Sequence, residues 1–190
     1  GVMLISTGGT AKALRDAGLK VSDVSEITNF PEMMDGRVKT LHPAVFGGIL
    51  FRREVESDQQ ESQHHKIAPI DLVMVDLYPF EETVAAKASE EDTIEKIDIG
   101  GPSMLRGAAK NHGSVAVLSS PAQYDGLLSA LKSGGYTLAE RKQLAIEVFR
   151  TTAEYDATIA MWMADDDGFH DWMAHIWKRS GTLRYGENPH

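Results

Sequence analysis

Cysteine is absent from all 190 residues, which excludes disulfides, thiolate nucleophiles and zinc–thiolate sites and fits a reducing cytosol. Long apolar runs are absent too. The clearest, around Leu72-Val-Met-Val75, is far shorter than the roughly 20 residues a membrane-spanning helix needs. Cations are scarce: 19 Lys and Arg stand against 28 Asp and Glu, for a net charge of −9. Such a surface repels a polyphosphate backbone and argues against nucleic-acid binding, yet it permits a small anion, since a few local cations can dominate a pocket. The opening Gly1-Val-Met-Leu-Ile5 has no basic stretch ahead of an apolar core and is not read as a signal peptide. It reads as a chain that begins partway into a domain. What is present is ordinary for a globular protein: 42% hydrophobic and 25% charged residues, enough for one domain with a sizeable core and a helical appendage.

Along the chain, short apolar segments alternate with helical patterns. Val2–Ser6, Lys20–Val24, Gly47–Phe51, Asp71–Leu77 and Val115–Leu118 read as strands. Helices are expected after Thr10, where Ala11, Leu14 and Ala17 share a face and Gly18 is a stop, and over Glu54–Lys66, Phe80–Lys87, Glu90–Lys96, Gly100–Asn111 and Pro121–Lys132. Phe30–Pro43 reads as a structured loop, with a short helix admissible after Pro31. This alternation predicts an α/β fold with a parallel, doubly wound sheet. A C-terminal helical extension follows from Leu138 to about Asp165, with Ala145, Val148, Phe149, Thr152, Tyr155 and Ile159 at helical spacing. It would pack on the α/β layer or on a second subunit, and Asp165-Asp166-Asp167 reads as a solvated helix end.

Four clusters could carry chemistry. Ser6-Thr7-Gly8-Gly9-Thr10 lies between a strand and a helix, where converging N–H groups and hydroxyls could hold a phosphate. It serves equally as an ordinary turn with Thr10 as helix cap. In Asp35-Gly36-Arg37-Val38-Lys39-Thr40-Leu41-His42-Pro43 two cations point one way if the backbone is extended; a solvated basic loop is the alternative. Asp76-Leu77-Tyr78-Pro79-Phe80 sits at the carboxyl end of the best strand, where ligands of open parallel sheets bind, although Tyr78 could simply pack. Asp98-Ile99-Gly100-Gly101-Pro102 leads into a helix carrying Arg106 and Lys110 on one face, a second anion or oxyanion cradle. With a rise of about 1.5 Å per residue, spacing alone does not bring Asp98 to Lys110. No metal site is expected from the seven histidines: His64 and His65 are adjacent, and His170 and His175 are off the i, i+4 pattern.

These clusters, with Ala109-Lys110-Asn111-His112, occur in the same order as in IMP cyclohydrolase, the N-terminal domain of a bifunctional purine biosynthesis family whose second domain is AICAR transformylase. The resemblance runs over essentially the whole chain. It implies a methylglyoxal-synthase-like fold over residues 1–135, a helical extension over 136–180, and at 181–190 the start of a linker to a transformylase domain. Leu183–His190, with Arg184 and Tyr185, resembles the beginning of that domain, and formyl transfer is not expected without it. An N-terminal strand and phosphate loop usually precede the residues seen here. Asp76 stands where the family has Asn, and Phe46 where His is common.

The implied reaction closes 5-formamidoimidazole-4-carboxamide ribonucleotide (formyl-AICAR nucleotide) to IMP with loss of water, without metal or organic cofactor, in a cytoplasmic homodimer. On this reading Lys39, Tyr78, Asp98 and Lys110 are the catalytic candidates. Ser6, Thr7, Gly8, Gly9, Thr10, Arg37, Thr40, Asp76, Ile99, Gly100 and Gly101 are the substrate-binding candidates. The chemistry asks for these types: a carboxylate to take the proton of a weakly nucleophilic amide nitrogen, and fixed donors for the formyl oxygen. Two alternatives share the fold, a methylglyoxal-synthase-like lyase and a non-catalytic domain that binds a phosphorylated ligand. The second could dispense with Lys39, Tyr78, Asp98 and Lys110.

Overall fold

The computed structural model describes residues 2–164, 172–174 and 176–182. The triplet Asp165–Asp167, His170, His175 and the segment from Leu183 onward therefore lie outside the described residues. The chain runs β1 (Leu4–Ser6), α1 (Gly8–Asp16), β2 (Val21–Asp23), α2 (Val24–Thr28), a 3-10 turn (Met34–Gly36), α3 (Pro43–Leu50) and α4 (Glu56–His64). It continues with β3 (Leu72–Met74), α5 (Phe80–Ala85), α6 (Glu90–Ile94), α7 (Gly100–Lys110), β4 (Ala116–Leu118), a 3-10 turn (Pro121–Gln123), α8 (Tyr124–Lys132) and α9 (Leu138–Met163).

The fold is α/β with parallel pairing, as the alternation predicts. The strands are three residues long and form two ladders: β1 with β2, Leu4 opposite Val21, and β3 with β4, Leu72 opposite Ala116. Among the described residues no ladder joins the two pairs. The core lies under β3 and β4, where Val73, Leu105, Ala108, Val117, Ala145 and Val148 pack together with Val45 and Ile49. Helix α7 occupies its centre, against α9 on one side, α3 on another, and both strands. Ala108 and Ala109 let the neighbouring helices close on it, and Leu105 is completely buried.

One expected strand is a helix. Gly47–Phe51 lies in α3 and the start of the turn after it. The deciding signal is local and precedes the apolar run: Pro43 stands in the first turn, and the His42 side chain accepts from the Ala44 N–H at 3.1 Å. A short apolar run alone does not separate a buried strand from a buried helix. At the first glycine pair, the helix begins at Gly8 with Thr7 as its cap residue, so Thr10 is inside the helix and is not the cap.

Helix α9 begins with a capping box. Thr137 accepts from the Glu140 N–H, and the Glu140 side chain reaches back to the Thr137 N–H. This satisfies two otherwise orphaned donors. Of its expected apolar stripe, Ala145, Val148 and Thr152 are buried, and Phe149 is more open, with the Arg106 guanidinium 5.4 Å above its ring. The helix packs on α7 and β4. Asn111 and His112, part of a cluster singled out for chemistry, do structural work instead: Asn111 Nδ2 donates to the carbonyls of Ile49 and Phe51, and the His112 carbonyl accepts from Arg141.

Candidate active site

Three segments converge beside the N-terminus of α7. The first is the turn that delivers Lys39. Met34, Asp35 and Gly36 take successive left-handed conformations (φ 54°, 52° and 88°), closed by an antiparallel bridge between Met33 and Val38. Glycine is needed at 36 for its φ and for space, because a Cβ there would lie 2.6 Å from Glu32 Oε1. The backbone turns back so sharply that Arg37 is helical (φ −62°, ψ −26°). The extended geometry that would aim Arg37 and Lys39 the same way is therefore absent. Arg37 instead pairs with Glu95 of the α6 end, an exposed contact that raises its pKa by hydrogen bonding and charge. Lys39 is part-buried, 3.8 Å from Glu32.

The second segment is the 96–101 turn. Asp98 Oδ1 accepts from the Gly101 N–H at 2.8 Å, so this carboxylate fills the positive end of α7. Burial pushes the Asp98 carboxyl above its ordinary value, against the opposing pull of the Gly101 and Tyr78 N–H groups and of the Lys39 charge. The surroundings are tight. A Cβ on Gly100 would lie 2.7 Å from Thr40 Oγ1, and one on Gly101 would collide with Asp98 and stand 3.0 Å from Val75. Thr40, Val75, Asp98, Gly100 and Gly101 are thus neighbours. Tyr78, in the third segment between β3 and α5, brings its N–H to Asp98 while its side chain is about half exposed.

Lys39 also lines a cleft of about 400 Å³ together with Thr7, Gly8, Asp23, Phe30 and Glu32. That size lies in the range of small-molecule sites. The cleft carboxylates each have a cation nearby, Arg15 for Asp23 and Lys39 for Glu32. Gly8 and Gly9 are exposed, with nothing within 4 Å of where a Cβ would stand. Gly8 adopts φ +56°, and the Thr7 side chain makes no capping bond, so the turn's donors are not claimed by its own side chain.

The structure therefore brings together Lys39, Thr40, Tyr78, Asp98, Gly100 and Gly101, and places Thr7 and Gly8 in the same cleft as Lys39. Ser6 ends β1 beside that turn, Gly9 and Thr10 are exposed in the first turn of α1, and Ile99 is exposed at the start of α7. Asp76 is exposed between β3 and Tyr78. Lys110 is exposed in the last turn of α7, the end opposite Asp98, so the helix itself keeps the two apart. Among the described residues no group of three His, Asp or Glu is placed to hold a metal ion, and no helix is long and apolar enough to cross a membrane.

Sequence reasoning missed Tyr155, Glu32 and Glu95. Tyr155 was legible only as one member of an apolar stripe. Its hydroxyl was the available signal, since a buried phenol needs a partner. Here the hydroxyl accepts from the Asp98 N–H and donates to the Lys96 carbonyl, both at 2.8 Å.

Comparison with known proteins agrees with this architecture. A family model for the MGS-like domain matches residues 1–103, and one for the AICARFT/IMPCHase bienzyme matches residues 108–190. The chain is 49% identical over 197 residues to the bifunctional purine biosynthesis protein PurH of Mycobacterium marinum, and 53% identical over 199 residues to that of Roseobacter denitrificans. Both alignments take in all of this chain and 38% and 37% of the relative, respectively. The chain thus spans less than two fifths of the length of these curated relatives. It also superposes on the crystal structure of ForH with a TM-score of 0.71 at 39% identity, covering 85% of each chain.

Proposed function

The chain belongs to the MGS-like domain family, and from that premise we propose that it is an IMP cyclohydrolase, closing formyl-AICAR nucleotide to IMP with loss of water. The observation that carries the proposal is the position of Lys39, which lines the same cleft as Thr7 and Gly8 and lies close enough to the Asp98 carboxylate for its charge to act on it. A nucleotide whose phosphate lies on the Thr7–Gly9 turn would then present its reacting groups to Lys39 and Asp98. The relatives named PurH support the same reading.

The carboxamide nitrogen attacks the formyl carbon, a C–N bond forms, and the formyl oxygen gains negative charge. Asp98 takes the proton lost by nitrogen. Its raised pKa makes it a stronger base than an ordinary carboxylate, which suits proton transfer from a poor acid. Lys39 and the N–H groups of Ile99 and Gly100 stabilise the oxygen; such donors are worth about 3 kcal/mol each when removed. The oxygen takes the proton held by Asp98 and a second from the formamide N–H, and the C–O bond breaks as the C=N bond forms, releasing water. Binding at the phosphate turn holds the two reacting groups within reach of each other. Arg37 serves this site only if it exchanges Glu95 for the substrate, and Lys110, at the far end of α7, is left out of the step. The proposed step uses no cofactor: it transfers no electrons, brings in no external group, and takes its proton acceptor and oxygen donors from the chain itself. The homodimer and the cytosolic setting go with this reading, and light scattering that gave a monomer mass would count against the first.

The direct test offers formyl-AICAR nucleotide to the purified chain and follows IMP by absorbance, then offers dihydroxyacetone phosphate. IMP formation supports the proposal. Release of inorganic phosphate from the second compound would favour the lyase, and binding without turnover of either would favour a regulatory domain. Lys39→Ala should lower turnover on the order of a hundredfold if this ammonium stabilises the oxygen, and near-normal turnover would remove it from the mechanism.

A further inference from the structure

Helix α9 lies outside the MGS-like match, yet it reaches into the site through one side chain. The Tyr155 hydroxyl accepts from the Asp98 N–H and donates to the Lys96 carbonyl, both at 2.8 Å, across 57 and 59 residues of sequence. Its ring meets Phe80 edge to face at 6.2 Å. Phe80 is fully buried and lies two residues after Tyr78. One phenol thus touches both segments that surround the Asp98 carboxylate.

We propose that Tyr155 is a positioning residue for the ring-closure step, locking the 96–98 turn so that Asp98 is held dry and aimed beside Lys39. The proposal rests on the function argued above. The turn has no regular secondary structure of its own, and its backbone donor and acceptor are both satisfied by this hydroxyl. Losing it would let the turn open and admit water to a carboxylate whose raised pKa comes chiefly from burial. The titratable and charged groups facing Asp98 are Lys39 from the 33–40 turn, Tyr78 from the β3–α5 connection and Tyr155 from α9, with Asp156 beside Tyr155. Burial raises the Tyr155 phenol, with the Asp98 and Asp156 charges adding to it, so it remains a neutral donor at working pH.

The test compares Tyr155→Phe with Thr158→Val, which removes a different α9 hydrogen bond, the one to Glu81 at 3.1 Å. Tyr155→Phe should lower kcat tenfold to a hundredfold, on the order expected for a displaced catalytic group, with KM little changed. It should also move the Asp98 carboxyl titration, read by carbon-13 NMR of the full chain, down toward the ordinary aspartate value. Thr158→Val should change neither. An unchanged Asp98 titration in Tyr155→Phe, or the same shift in Thr158→Val, would overturn the proposal. Should the wild-type chain fail to close the nucleotide, the proposed function falls, and the titration still decides whether Tyr155 holds Asp98.

Discussion

Gly8-Gly9 and Gly100-Gly101 each open a helix, yet the first pair faces empty space and the second is packed against the chain's own side chains. Nothing lies within 4 Å of a Cβ at Gly8 or Gly9, whereas one at Gly100 would strike Thr40 and one at Gly101 would strike Asp98. Helix α1 buries a single residue, Ala11, and α7 buries Gly101, Leu105, Ala108 and Ala109. The positive end of α7 is already filled by the Asp98 carboxylate; that of α1 receives no side-chain cap. The same dipeptide thus leaves an open, uncapped helix end at one place and makes a tight frame for a carboxylate at the other.

The sharpest way to break this comparison is at the carboxylate. Asp98→Asn keeps an acceptor for the Gly101 N–H and removes the base, so turnover should fall about a thousandfold, within the range for a lost general base. A loss under threefold, with circular dichroism unchanged, would show that the α7 end frames no base. Next in size is the pair of glycine substitutions. Gly101→Ala forces Asp98 and Val75 apart and should cost about 2 kcal/mol, or roughly 4–8 °C in Tm for a chain of this length. Gly9→Ala meets nothing and sits inside a helix at ordinary φ, so it should gain about 0.5–1 kcal/mol. Its cost should appear in KM, about tenfold if one N–H contact to a charged phosphate is spoiled. Equal Tm changes in the two variants would erase the distinction.

The smallest effects are in pH dependence. Asp98 has a raised folded pKa, so its contribution to stability is present below the ordinary carboxyl value and is lost as pH rises through the raised one. Asp58, held at about 2 by Arg52, has the opposite sign: its contribution is present above the ordinary 3.8 and lost as pH falls toward 2. Urea midpoints of the wild type measured against Asp98→Asn and Asp58→Asn across that range should therefore slope in opposite directions. Parallel slopes would mean that Asp98 is not buried in solution.

Much of the fold was legible in the residues, and the reasons are local. The alternation of apolar runs with helical periodicity marked the helices at Glu56–His64, Phe80–Ala85, Glu90–Ile94, Gly100–Lys110 and Leu138–Met163 within a few residues. The run at 47–51 was misread because a short apolar stretch carries no period, although Pro43 and His42 marked the helix start. At the site, Lys39, Tyr78, Asp98 and the two glycine pairs were named from the sequence, and the structure gathers the first three. Arg37 was expected beside Lys39 and is turned away, because three successive left-handed residues precede it. Tyr155 and Glu95 were invisible as site neighbours, lying 57 and 58 residues from the groups they hold.

The sequence by itself determined the α/β alternation, the acidic balance, and which turns are free to take glycine geometry, since these depend on propensity, charge count and side chains a few residues apart. Only the tertiary structure decided which glycine pair stays open, which cation lines the cleft, and which tyrosine grips the Asp98 turn. Those outcomes depend on how α7 is packed between α3 and α9. Packing joins residues that no local pattern relates, and it sets the burial that shifts a carboxylate.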